Sequence, residues 1–295
     1  MGENSIKSPI TLSNLDELKR RRARIDGLSA CEIRELAFDF IDTAVEMLKG
    51  DYGIYEVLSF VSEELSALSL SISESVEFAR SLFSLLSEKR LAPGEADFLF
   101  ESHEGGRVAL LKNPLSIEAY EVFSQDIKAP RVLYRDSVFA VGEALKSSLA
   151  DYCILPFEEK GGVRVSGVSE LIFKSDLKIN KVTPVFGPLG NADVLYALIS
   201  KSFSVPSLER DDDRYLEIRV SRDGSIPLSE LLFAAESFGL TLYRVNQERY
   251  LEFSEWRDYY SLVFKAEGES FATFLTYLTL FSGDFTPIGI YKNLE

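Results

Sequence analysis

Side chains able to carry acid–base, nucleophilic or metal chemistry are few in this sequence, and their spacing limits what they can do. The single histidine, His103, stands in the run Glu101-Ser102-His103-Glu104-Gly105-Gly106. It has no second histidine to share a zinc ion, and any Ser-His-Asp relay would have to pass through it. A solvated loop suits it better than the role of a base. Cys31 and Cys153 lie far apart within apolar segments and read as buried free thiols. Lys19, Arg20, Arg21, Arg22 and Arg24 form a basic run, either a solvated helix face or an anion pocket. Asp211-Asp212-Asp213 reads as an acidic loop whose spacing suits a metal poorly. Trp256 and the pair Tyr259-Tyr260 fit packing against a sheet better than an aromatic cage. No metal and no cofactor is expected.

Charge narrows the partners. The 295 residues hold 32 Lys and Arg against 47 Asp and Glu, a net charge of −15, which disfavours nucleic acid and anionic membranes. An anionic substrate would need a local cationic pocket built against that field. No apolar run approaches the roughly 20 residues of a membrane span, and no signal-peptide core is apparent, so a cytoplasmic location is expected. With 46% hydrophobic residues the chain is globular, and its length suits two or three domains.

The elements that must position these side chains fall into three stretches. In the first, Asn14 and Glu17 suggest a helix start, and Leu36, Phe40, Ala44 and Met47 recur at helical spacing in a helix interrupted by Gly27. A second helix covers 54–65, and the Ser71/Glu74 capping pattern opens a third carrying Val76, Ala79, Phe83 and Leu86. Three such helices leave apolar faces uncovered, which favours a dimer. After a boundary near 91–106, strands at 107–111, 131–134, 150–157 and 177–186 alternate with helices at 116–124, 137–148 and 166–174. A further helix is expected near 193–202. This alternation predicts an α/β layer with a mostly parallel sheet. The last stretch reads β-α-β-β-α-β: strands at 215–220, 240–245, 259–266 and 287–291, with helices through Leu228–Phe238 and Phe271–Leu278.

Several motifs resemble one enzyme family. Val138–Leu145 followed by Ala150-Asp151-Tyr152-Cys153-Ile154-Leu155-Pro156-Phe157-Glu158-Glu159 looks like part of a prephenate dehydratase, as does Ser175-Asp176-Leu177-Lys178-Ile179. Asp213-Arg214-Tyr215-Leu216 stands where that family has threonine–arginine–phenylalanine. Ile288-Gly289-Ile290-Tyr291 resembles the ending of an ACT domain, and Arg22-Ala23-Arg24-Ile25-Asp26-Gly27-Leu28 the opening of a helical chorismate mutase. The order matches the bifunctional chorismate mutase–prephenate dehydratase of phenylalanine biosynthesis, in degenerate form. The resemblance implies a multidomain α and α/β fold: a helical chorismate-mutase-like part at 1–92, a truncated periplasmic-binding-protein-like dehydratase part at 105–213, and a ferredoxin-like ACT part at 214–295.

Carried over residue by residue, the resemblance places Arg22, Lys49 and Glu56 in a mutase pocket, and Glu158 and Arg214 in a dehydratase cleft. Leu228, Asn246 and Gln247 fall in the ACT ligand region. The departures bear on chemistry. Asp39 and Tyr55 stand where the mutase has arginines, and exchanging a cation for an anion removes an ionic contact worth about 2–5 kcal/mol. Asp213 replaces the dehydratase threonine. Lys112-Asn113-Pro114-Leu115-Ser116 replaces a glycine-rich anion-binding turn. The expectation is a catalytically impaired member of the family, or a non-catalytic relative that senses a small aromatic molecule or binds a partner. A homodimer through its helical and ACT-like parts is expected.

Overall fold

The computed structural model describes residues 27–50, 52–98, 105–159, 162–186, 192–203, 214–266 and 270–292. Arg22 with the rest of the basic run, His103 and Asp211–Asp213 lie outside the described residues. The chain forms two compact units: Met1–Phe98, Asp223–Leu240 and Glu269–Asp284 in one, and Leu99–Arg222, Thr241–Gly268 and Phe285–Glu295 in the other.

The first unit is helical. It holds α1 (Ala30–Lys49), α2 (Ile54–Leu65), α3 (Ile72–Glu88), α7 (Leu228–Ser237) and α8 (Ser270–Phe281). Capping fixes the starts of two of them. Ser29 and Glu32 form a capping box at α1, so this helix begins after Gly27, whose φ is 111°. Ser71 and Glu74 form another at α3, and the Glu74 carboxylate also accepts the backbone N–H of Leu28. Ser71→Ala is expected to lower unfolding free energy by about 1 kcal/mol, measured by urea titration. Buried Leu36, Phe40 and Ala44 face α3, where Phe40 meets Phe78 edge to face at 5.9 Å. Phe78 meets Phe281 of α8 in the same way at 6.2 Å. The apolar faces of α2 and α3 are thus met by α7 and α8 of the same chain. Cys31, expected to be buried, is exposed: the helical phase that turns Ile33 and Leu36 inward turns it outward.

The second unit is built on a ten-stranded sheet. Its strands are β1 (Arg107–Leu111), β2 (Arg131–Arg135), β3 (Tyr152–Glu159), β4 (Val163–Arg164), β5 (Lys178–Phe186), β6 (Ala192–Ser200), β7 (Arg214–Ser221), β8 (Leu240–Glu252), β9 (Glu255–Ala266) and β10 (Phe285–Tyr291). Their order is β2-β1-β3-β6-β5-β10-β7-β9-β8, with β4 paired to β3. Only β1 with β2 and β3, and β5 with β10, run parallel among the registered pairs, so the sheet is mixed rather than mostly parallel. The expected helix near 193–202 is the antiparallel strand β6 between β3 and β5. Its continuous apolar run is buried on both sides, and such a run has no period to separate a central strand from a helix.

Period-two alternation sorts the side chains of the parallel part. Ala109, Cys153 and Leu155 join a core with α5 (Val138–Lys146) and α6 (Ser166–Lys174), whereas Val108, Leu110 and Ile154 face α4 (Pro114–Phe123). β10 meets β5 at one registered pair, Gly289 with Ile179, and pairs antiparallel with β7 on its other side. β8 runs on past the expected end at Val245. A two-residue turn, Phe253-Ser254, with φ 46° and 72° joins it to β9. Two left-handed residues in succession match the twist of a hairpin. The sheet curls far enough for Arg244 of β8 to reach Glu158 of β3. Gly162 lies in the same fold of the sheet, where an added Cβ would come within 3.2 Å of the Arg244 guanidinium carbon.

Candidate functional site

Strand β7 brings polar groups into the curl. Tyr215, Glu217 and Arg219 alternate with Leu216, Ile218 and Val220, and so share one face of the strand. Glu217, only 3% exposed, accepts hydrogen bonds from Ser261 Oγ at 2.5 Å, Tyr291 Oη at 2.7 Å and Arg164 Nη2 at 3.0 Å. Burial alone would raise its pKa. The Arg164 charge and these hydrogen bonds outweigh burial and hold the carboxyl below its ordinary value. Burial likewise opposes the charge on Arg164, but Glu217, Tyr291 and Glu158 prevail and its pKa rises. The Arg164 guanidinium lies 3.7 Å from the centre of the Phe157 ring. Its Nε is 3.5 Å from Glu158 Oε2, an ion pair without a hydrogen bond.

A second group adjoins the first. Arg219 Nε lies 3.8 Å from Glu248, and its guanidinium covers the Phe173 ring at 4.7 Å. Phe173 of α6 stacks on Tyr250 with ring centres 3.9 Å apart. Tyr250 donates to Glu248 at 2.7 Å. Burial raises the Glu248 carboxyl above its ordinary range despite that hydrogen bond, and burial together with Glu248 pushes the Tyr250 phenol up.

Beside these groups is a cavity of about 710 Å³. Gly162, Val163 and Arg164 border it on one side together with Ser166, Ser169, Glu170 and Lys174 of α6. Residues 245–251 of β8 and Trp256 border it on the other. Trp256 is 62% exposed here, with the Arg249 guanidinium 5.7 Å from its ring, and so is not the sheet-packing residue expected. Tyr259 does pack, 5.2 Å from Phe173.

The residues singled out in the sequence fall in different places. Lys49 is the exposed last residue of α1. Glu56 is exposed in the first turn of α2, where its carboxylate accepts the Gly53 N–H at 2.7 Å and serves as a helix cap. Tyr55 donates to the Phe98 carbonyl at 2.8 Å. Glu158 is 3% exposed and paired with Arg164 and Arg244. Arg214 opens β7, half-buried opposite Ala266. Leu228 opens α7 in the helical unit. Asn246 and Gln247 border the cavity. The cluster of Arg164, Glu217, Arg219 and Glu248 was not anticipated. Its one sequence signal is the Glu217/Arg219 alternation within a strand otherwise rich in apolar residues.

The buried carboxylates of the site are engaged by arginines, serine or tyrosines. The open volume is lined by side chains of both charges, with Glu170 and Glu248 beside Arg164, Lys174 and Arg249, and by serine, amide and apolar groups. None of the described helices is long and apolar enough to cross a membrane.

No family model and no curated protein matches the sequence significantly. Solved structures do. The prephenate dehydratase of Streptococcus mutans is 15% identical, with 64% of this chain and 98% of that chain covered and a TM-score of 0.49. GqqA, described as a novel type of quorum-quenching acylase, is 18% identical over 63% of this chain and 95% of its own, with a TM-score of 0.47. The prephenate dehydratase of Arthrobacter aurescens in complex with L-Phe is 16% identical over 63% of this chain and 90% of its own, also with a TM-score of 0.47.

Proposed function

We propose that the chain is a degenerate member of the chorismate mutase–prephenate dehydratase family that binds molecules rather than converting them. The observation that carries this reading is the state of Glu158. The residue matched to the dehydratase glutamate is 3% exposed and shared between two arginines, so no substrate hydroxyl has access to it. In the helical unit, Glu56 caps its own helix and Lys49 stands in solvent, where neither encloses a dianion. The order of motifs along the sequence supports the family assignment, with parts at 1–92, 105–213 and 214–295. The strand order β10-β7-β9-β8, with helices following β7 and β9, supports a ferredoxin-like, ACT-type reading of the last part. Binding of a small aromatic molecule or a partner, and homodimerisation, belong to the same proposal.

Incubation of purified protein with chorismate and with prephenate tests it, each followed by chromatography. Loss of either acid is expected to match the protein-free control. Turnover near the ordinary enzymatic range of about 1–10³ per second would refute the reading.

A further inference from the structure

Strand β8 ends the sheet, and its outer edge pairs with no other strand among the described residues. Every residue from Val245 to Leu251 borders the cavity. Side chains alternate across a strand, so a hollow on one face would touch only every second residue. Contact with all of them means that the cavity follows the edge, where backbone N–H and C=O groups point sideways. The opposite wall combines a short strand edge with α6. Gly162, Val163 and Arg164 are consecutive, and β4 bonds to β3 on one side only. The cavity is therefore a slot along the edge of β8, about 24 Å long at the usual rise per residue, faced by the two-residue β4 and by α6.

We propose that this slot takes an extended peptide segment, added as a strand along β8, in which apolar residues alternate with acidic ones. The proposal rests on the reading that this chain binds rather than converts. Unprotected strand edges are templates for pairing, and added strands are a recurrent mode of peptide recognition. The side chains beside the slot set the preferred sequence. Val245 and Leu251 are exposed apolar neighbours for an incoming strand, and Trp256 extends that surface. Arg249 stands between them on the exposed phase of β8, 3.5 Å from Asp258 and 64% exposed, and matches an acidic side chain opposite it; across the slot Lys174 is paired with Glu170 at 2.6 Å. Among the described residues two buried donors on lining residues lack a hydrogen bond: Arg164 Nε, which faces Glu158, and Asn246 Nδ2, to which a peptide carbonyl would supply an acceptor.

The test uses the full chain and a capped, fluorescein-labelled octapeptide alternating valine with glutamate, followed by fluorescence anisotropy. Saturable binding is expected. It should be lost when every second backbone nitrogen of the peptide is methylated in the phase that faces β8, and largely kept when the other phase is methylated, because only one edge of the added strand pairs with β8 along its length. Arg249→Glu should weaken binding about tenfold, as should lysine in place of glutamate in the peptide. Equal binding of the methylated peptides would overturn the proposal, as would no saturation by about 1 mM. If L-phenylalanine then raised the melting temperature while the peptide failed, this inference would fall and the non-catalytic reading would stand. Turnover of chorismate or prephenate would sink that reading instead. Concentration-dependent dimerisation abolished by Arg249→Glu would assign the slot to a second copy and likewise overturn the peptide proposal.

Discussion

Glu217→Gln is expected to lower the unfolding free energy by about 3–5 kcal/mol. Glutamine keeps the shape of the side chain but removes the charge opposite Arg164, whose side chain is only 8% exposed. Glu158 then remains as its nearest carboxylate, at 3.5 Å and without a hydrogen bond. An unbalanced buried cation carries most of the loss, so the double variant Arg164→Met/Glu217→Leu should recover much of it. Urea unfolding of the two variants beside the parent measures both effects. A loss under about 1 kcal/mol for Glu217→Gln would show that the pair is solvated and the argument mistaken.

The pH dependence carries a sign. Because the folded pKa of Glu217 is lowered, its contribution is present above the unfolded value, near 4.3, and is lost as pH falls through the folded value. Glu248 acts the other way: its raised pKa gives a contribution present at low pH that fades as pH rises through the folded value. The parent should therefore lose stability on acidification more steeply than Glu217→Gln. Melting temperatures recorded from pH 6 downward compare the two slopes.

Gly289→Val should cost about 3 kcal/mol by thermal or urea unfolding. Gly289 is registered with Ile179 of β5 on one side and with Glu217 of β7 on the other. An added Cβ would fall 2.7 Å from a Tyr291 ring atom and 3.1 Å from the Ile179 Cβ. Neither neighbour has room to retreat, since Tyr291 is 1% exposed and Ile179 fully buried. Displacing the tyrosine also draws its hydroxyl away from Glu217, leaving that carboxylate one donor short. Gly167→Ala provides the contrast, because nothing lies within 4 Å of its added Cβ and alanine favours the helix. A stable Gly289→Val protein would mean that β5 and β10 can separate without cost.

Local chemistry was legible in the sequence and long-range assembly was not. The Ser71/Glu74 box acts over three residues, and both the cap and its helix appear as read. The strands through Val108–Leu110 and Cys153–Leu155 announced themselves by apolar runs bounded by turns. Strand β6 did not, because Tyr196–Ile199 is apolar on both faces and carries no alternation. The Glu217 cluster was out of reach for another reason. Arg164, Ser261 and Tyr291 come from three separate strands, and only the sheet order brings them to one carboxylate. Trp256 looked like packing because an aromatic in a strand usually packs, whereas it stands at the mouth of a slot whose existence depends on how the sheet curls.

The position of β10 has a consequence for assembly during synthesis. Later in sequence than the other described strands of the sheet, it is placed between β5 and β7 rather than at a margin. Nascent chain leaving the tunnel can complete β1 through β6, and separately the β7–β9 pairing, yet the two blocks have no shared hydrogen-bonded neighbour until β10 arrives. Joining them requires contacts between distant stretches of chain, the slow class of folding event. Until then the facing margins of β5 and β7 remain open to wrong partners, so truncation before Phe285 should yield aggregating rather than merely weakened protein.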